Sequence, residues 1–394
     1  MSEWKTYKLG EIAKIVSRGI SPKYAEVGVP VINQKCVREG KIKFYDIKFN
    51  DVSLKKVSEE KYLLKNDILV NSTGTGTLGR VGQINFEIGE FTYDSHVTLV
   101  RIDESFDQVF VGYKLKSLQS YIESMAEGST GQTELNREKL KQLEITIPIN
   151  KAEQSQIAQI LTSLDDKIEL NLQMNQTLEA MAQALFKEWF VNFNFPGFDG
   201  ELENGLPKGW RMGKLGDISS NFDSKRIPLS SMQRKDRQGI YPYYGAATIF
   251  DYIDDYIFDG TYLLMGEDGT VQTDEGFPVL QYVWGKFWVN NHTHVLQGKN
   301  LFSTEYLYLL LSKTNIIHLI TGAVQPKINQ GNMNKIECVL PTGGILNDFQ
   351  EVICPIFEKI KSNKTQIQTL TQTRDTLLPK LMSGKVKINC TEYE

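Results

Sequence analysis

Two stretches of the chain carry the same heptad seam, and whatever lies between them must fit a pair of matched helices. In residues 151–190 the seam reads Ile157, Leu161, Leu164, Ile168, Asn171, Asn175, Leu178, Ala182 and Leu185, with steps alternating four and three. Phe349, Ile353, Ile356, Ile360, Asn363, Ile367, Leu370, Arg374 and Leu377 repeat those steps at a constant offset of 192 residues. This period puts one apolar stripe along each helix, the pattern of a coiled coil. Each copy carries Asn at its midpoint, Asn171 and Asn363. A polar residue in an apolar seam costs stability but fixes register, because only one alignment lets the amides bond each other. The pattern predicts two long helices packed antiparallel with Asn171 opposite Asn363. That register alone superposes both seams under the repeat. The alternative is two ordinary amphipathic helices, each packed on its own domain.

The repeat extends into the intervening sequence. WKTYKLGEI at Trp4–Ile12 returns as WRMGKLGDI at Trp210–Ile218, and GVPVIN at Gly28–Asn33 has a looser counterpart in IYPYYG at Ile240–Gly245. Asn66–Leu69 matches Gly260–Leu263, and Asp94–Ser95–His96 matches Asn290–Asn291–His292. Gln132 and Asn136 stand before LKQLEITIP as Gln325 and Asn329 stand before MNKIECVLP. Between these marks run short β-branched and aromatic segments punctuated by Gly, Asn and Asp, interrupted in both copies by one helical stretch, Val109–Ser124 and Ser303–Leu319. The expected fold is α+β: two β-rich domains related by an internal repeat, separated by two long helices forming an antiparallel coiled coil. The expected boundaries are 1–150 for the first domain and 151–191 for the central helix. Residues 192–345 form a Gly- and Pro-rich connector and the second domain, and 346–394 the closing helix and tail.

Composition excludes some classes. No run of 18 apolar residues and no signal-peptide pattern occurs, so neither export nor a membrane span is expected, and the location expected is cytoplasmic. Cys36, Cys338, Cys354 and Cys390 include no C-x-x-C pair, against a zinc site or a disulfide framework. The net charge of −4 leaves no segment basic by composition, so a nucleic-acid binder of this kind must cluster its cations on one face or borrow charge from a partner.

Gly74, Gly76 and Gly79 spell G-x-G-x-x-G, but the RVGQINF that follows alternates like a strand, and a dinucleotide fingerprint needs a helix N-terminus there. A Gly-, Ser- and Thr-rich hairpin ending in Arg80 suits close approach to a DNA backbone, with a plain surface hairpin as the alternative. His292 and His294 alternate along a strand, and without a third ligand at a fitting spacing they suit surface or base-edge contact better than a metal. No adjoining prolines follow an Asn or Asp, as adenine methyltransferases require, and no Walker A, G-x-S-x-G or H-E-x-x-H string occurs, so no active site is expected.

FKEWFVNFNFP (Phe186–Pro196) and RDTLLPKLMSGK (Arg374–Lys385) resemble the two conserved regions of the specificity subunit of type I restriction-modification enzymes, and YPYYGA (Tyr241–Ala246) and LLMGEDG (Leu263–Gly269) look like strings of that family. The resemblance covers essentially the whole chain. It implies a non-catalytic subunit that recognises a bipartite, asymmetric double-stranded DNA target, one half per domain, and scaffolds two modification (methyltransferase) subunits. Those would bring S-adenosylmethionine and adenine methylation, and restriction subunits would add ATP and Mg-dependent cleavage, so this chain itself would bind no cofactor and no metal. Thr371–Thr373 depart from the longer apolar stretch the family often carries before Arg374. The partner-binding candidates are Phe186, Trp189, Phe190, Leu378, Leu381 and Met382. In the first domain the DNA-facing candidates are Asn71, Ser72, Thr73, Gly74, Thr75, Thr77, Arg80, His96, Gln132, Asn136 and Arg137. In the second they are Tyr243, Tyr244, Gly245, Glu267, Asp268, Asn291, His292, Gln325, Lys327 and Asn329, in loops at equivalent places of a repeated scaffold. A stand-alone DNA methyltransferase and a coiled-coil adaptor without DNA binding are the alternatives.

Overall fold

A computed structural model describes residues 3–44, 46–128, 133–322 and 324–386. The chain divides into two units, Met1–Leu170 with Gln366–Glu394, and Asn171–Thr365, so each long helix gives one half to each unit. Those helices are Lys151–Phe190, the central helix, and Gly343–Met382, the closing helix.

In the first unit, Trp4–Lys8 pairs antiparallel with Glu144–Pro148, tying the start of the domain to its end. The KLGEI string forms a one-turn helix, Leu9–Ile12, whose Glu11 carboxylate accepts from the Lys8 N–H at 2.9 Å. Six strands follow in the order Ala13–Arg18, Val97–Ile102, Ile68–Asn71, Val81–Gln83, Lys41–Ile42, Val37–Arg38, and a four-stranded sheet covers one face. Alternation along Ile68–Asn71 sends Ile68 and Val70 into the cluster holding Phe110, Ile157 and Leu161, while Leu69 packs with Ile32 and Leu99. Ile68, Leu69 and Val70 are therefore apolar in succession, because both faces of the strand are buried.

The second unit repeats this plan. Arg211–Lys214 pairs with Glu337–Leu340, and Asp217 caps Leu215–Ile218 as Glu11 caps its counterpart. The central strands are Ser219–Asn221, Thr293–Gly298, Tyr262–Gly266 and Leu280–Val283. Val29–Ile32 pairs parallel with Thr92–Tyr93, and Gln238–Tyr244 pairs parallel with Lys286–Val289, so the looser of the matched strings also occupy equivalent strands. One equivalence shifts by a residue. Asn71 opposes Val97 and Gly266 opposes Thr293, which aligns Ile68 with Leu263 and not with Tyr262. A shift of one exchanges the faces of a strand, so the ladder corrects the string comparison.

All nine seam positions of each helix are buried or half-buried. In the first unit Arg374 Nη1 meets Asp165 Oδ1 at 2.8 Å, and Leu381 and Met382 share a core with Ile157 and Leu161. In the second, Asn363 Nδ2 donates to Asn175 Oδ1 at 2.9 Å and Phe349 packs on Phe190 with centroids 4.7 Å apart. Within each unit one helix's numbering rises as the other's falls, so the pairing is antiparallel. Its register differs from expectation: Asn363 meets Asn175, one turn beyond Asn171. Both asparagines lie on the seam, and the seam pattern does not choose between them.

Candidate nucleic-acid interface

The same backbone frame holds a loop cluster in both units. Ser72 N–H donates to His96 O at 2.8 Å and Glu267 N–H to His292 O at 2.9 Å; Leu135 N–H donates to Ser72 O at 2.8 Å and Ile328 N–H to Glu267 O at 2.9 Å. Thr73 bridges Glu134 as Asp268 bridges Lys327, and Glu127 bridges Glu134 as Thr321 bridges Lys327. Asn136 and Asn329 each cap the short helix that follows, accepting from Glu138 N–H at 2.7 Å and Asn332 N–H at 2.8 Å. Asp94 and Asn290 each accept, at 2.9 Å, the N–H of the histidine two residues on. The repeat is thus a repeat of hydrogen bonds, and it brings Thr73, His96 and Glu134 together in one unit and Asp268, His292 and Lys327 in the other.

The frames carry different chemistry. Under the first loop two hydroxyls meet, Ser72 Oγ and Thr98 Oγ1 at 2.5 Å, and both are buried. At the corresponding place in the second unit stands an ion network. His294 Nδ1 lies 2.5 Å from Asp223 Oδ2 and its Nε2 lies 2.9 Å from Ile328 O. Glu267 binds Arg226 at 2.7 Å and Lys327 at 3.3 Å. Burial alone would raise the Asp223 carboxyl, but the bond and charge of His294 and the bond from the Val295 N–H outweigh it and hold the group below the usual range. Asp223, Glu267 and His294 could serve as three metal ligands, their ligand atoms lying within 4.8 Å of one another. The Arg226 guanidinium already bonds Glu267, lies 3.6 Å from Asp223 and donates to Thr293 O at 2.7 Å, so the cluster has its cation. Sequence spacing missed this group because Asp223 and His294 stand far apart in the chain.

Beside the first loop, Arg18 pairs with Glu134 at 2.5 Å and donates to Leu135 O at 2.9 Å, while Lys61 donates to Arg18 O. Burial pushes the Lys61 ammonium below its ordinary value, and Arg137 lowers it further. Arg18, Lys61 and Arg137 thus lie near one another, with Arg18 paired to Glu134 and Arg137 to Glu138.

Several expected contacts are turned inward. Asn71 is buried, its amide donating to Gln34 O at 2.9 Å and Thr77 O at 3.0 Å to brace the glycine loop. Arg80 folds back to donate to Gly76 O at 2.7 Å. Tyr243 is a core residue whose hydroxyl accepts from Leu229 N–H at 2.9 Å, and Tyr244 packs edge-on against Phe287. Gly245 lies beneath the Phe250 ring, where a Cβ would come within 2.6 Å of it. The caps Asn136 and Asn329 and the ion-paired Glu267 have structural work for their side chains, and His294 is buried, unlike its exposed neighbour His292. Gly74 turns at φ +107, and no helix follows the glycines, since Val81–Gln83 is a strand. Thr75, Asn291 and Gln325 are exposed; Thr77 is half-buried on the Thr73 carbonyl, and Gln132 lies outside the described residues.

The partner-binding candidates are likewise internal. Phe186, Trp189 and Phe190 form an aromatic cluster with Phe349, Tyr306 and Trp210. Leu381 and Met382 are buried in the first unit's core, and Leu378 packs against it half-buried. What the conserved strings do here is fasten the long helices to the domains. Among the described residues, no helix is long and apolar enough to cross a membrane.

The family described as the type I restriction modification DNA specificity domain matches residues 1–180 and again 207–374, once over each copy of the repeat. The type I restriction enzyme MjaIX specificity subunit of Methanocaldococcus jannaschii is 30% identical over 301 residues, 70% of this chain and 68% of that one. The HindI specificity subunit of Haemophilus influenzae is 25% identical over 474 aligned positions, covering 98% of this chain and 100% of the relative. In fold, the chain is similar to the crystal structure of a type I restriction-modification S subunit from M. genitalium, with a TM-score of 0.64 at 19% identity over 96% of both chains.

Proposed function

From a chain that belongs to the type I restriction-modification DNA specificity family, we infer a two-headed reader of double-stranded DNA that recognises a bipartite, asymmetric target, one half-site per unit. The observation that carries this reading is the duplicated loop frame. Two units present the same backbone cluster with different side chains, as two half-sites of different sequence require. The chain acts without an active site of its own. Two modification subunits bring S-adenosylmethionine and methylate adenine, and restriction subunits bring ATP with Mg for cleavage. The near-neutral charge fits this division of labour, since partners enclosing the duplex supply further phosphate contacts. All of this takes place in the cytoplasm, where the DNA is.

The test is duplex binding by the chain assembled with its modification subunits. Arg137 and Lys327 are exposed cations at the two loop clusters, with side chains 48% and 47% accessible. Replacing either by Ala is expected to weaken binding and to reduce the salt slope by about one. Unchanged affinity and slope in both variants would overturn the placement of the interface.

A further inference from the structure

His96 and His292 occupy equivalent positions, and each is fixed at three points. The histidine N–H donates to Asp94 or Asn290, the carbonyl accepts from Ser72 or Glu267, and ring Nδ1 is bonded by the residue that follows that donor. Both residues are exposed, and neither Nε2 has a hydrogen-bond partner among the described residues. Each unit thus holds one imidazole edge rigidly with its outer nitrogen unspent, the kind of preorganised polar atom that recognition rewards. The Nδ1 partner, the one that acts on the ring, differs in kind. It is the Thr73 hydroxyl, 2.7 Å away, in the first unit and the Asp268 carboxylate, 2.5 Å away, in the second.

We propose that His96 and His292 are corresponding base-edge readers in the two units, and that Thr73 and Asp268 decide what each can read by fixing, or leaving free, the position of the ring proton. This rests on the DNA-reading function proposed above. An ionised carboxylate can only accept, so Asp268 keeps the proton of the neutral ring on Nδ1 and leaves Nε2 of His292 an acceptor. In the major groove that nitrogen selects a base offering an amino group on the contacted strand, adenine or cytosine, and rejects guanine and thymine. The Thr73 hydroxyl both donates and accepts, so His96 can present either a lone pair or an N–H and does not discriminate in this way.

Two measurements test this on the assembled complex and the full chain. Nitrogen-15 spectra of the four histidines, assigned by single substitutions, should show the neutral ring of His292 protonated at Nδ1 and that of His96 in both forms. Methylation mapping in a host carrying the chain and its modification subunits should find an adenine-or-cytosine position in one half-site. Asp268→Asn should relax that position roughly ten-fold and leave the other half-site as it was, and Thr73→Asp should sharpen one position of the other half-site. A proton on Nε2 of neutral His292 overturns the proposal. So does a methylated sequence unchanged in both Asp268→Asn and His292→Ala, or a His292→Ala that weakens all sequences equally, as a phosphate contact would. In each of those cases the two-headed reading stands. Should the unsubstituted chain direct no sequence-specific methylation, that reading fails and takes this proposal with it.

Discussion

Single residues in this chain are mostly spent on holding loops in place, and a few are held at a cost. Lys116 is half-buried with its ammonium 4.6 Å from the centre of the Tyr113 ring, and burial pushes it down to about 8, Asp165 offsetting this only in part. Its folded value lies below its unfolded one, so between about pH 8 and its ordinary value the unfolded chain binds more protons and stability rises with pH. Lys116→Met should therefore stabilise the chain at neutral pH, by on the order of 1 kcal/mol, and flatten that rise. Denaturation midpoints at pH 7 and 9.5 check both statements. Asp223 behaves oppositely in sign: its folded carboxyl is held low, so its contribution is present above the ordinary carboxylate range and lost as pH falls through the folded value. Asp223→Asn should lower stability near neutral pH, through weaker binding to His294 and Arg226, and flatten its fall on acidification without moving the acid unfolding limb to lower pH, as denaturation midpoints followed down the acid limb would check.

At the level of elements, the long helices were legible because a seam is a local pattern, and every seam residue is buried or half-buried. Register was less legible, because Asn171 and Asn175 satisfy the same pattern and the choice is made by packing at the ends, where Phe349 is seated among Phe186, Trp189 and Phe190. The Asn175–Asn363 bond leaves Asn363 Oδ1 without a partner. Asn175→Leu should strand the remaining donor and cost about 1–3 kcal/mol in chemical denaturation. The double substitution Asn175→Leu with Asn363→Leu should recover most of that loss, since it removes the buried amides altogether. The strand equivalences were legible to within one residue, because insertions hidden in loops do not announce themselves in short strings. The loop clusters were legible as places but not as side chains. Nothing in the spacing of Asn71 or Arg80 said that they brace the glycine loop from within, nothing marked Tyr243 as core, and nothing linked Asp223 to His294.

For the whole molecule, each long helix contributes residues to both units, and the proposed reading of one half-site per unit predicts that helix length sets the half-site spacing. One added heptad lengthens a helix by about 10 Å, about three base pairs. Placed in both helices, after Asp166 and after Asn363, it keeps the antiparallel seam closed. The half-sites should then keep their sequences with a spacer about three base pairs longer, bound more weakly because DNA turns by about 100° over that distance while a heptad barely turns a helix face. An unchanged spacer in methylation maps would show that the helices do not set it. Whether each unit reads one half-site is answered by mapping methylation directed by a chain altered in the second loop cluster alone, with His292, Gln325 and Lys327 all replaced by Ala. One half of the recognised sequence should degenerate while the other half and the spacer persist; both halves changing together, or neither, would contradict one half-site per unit.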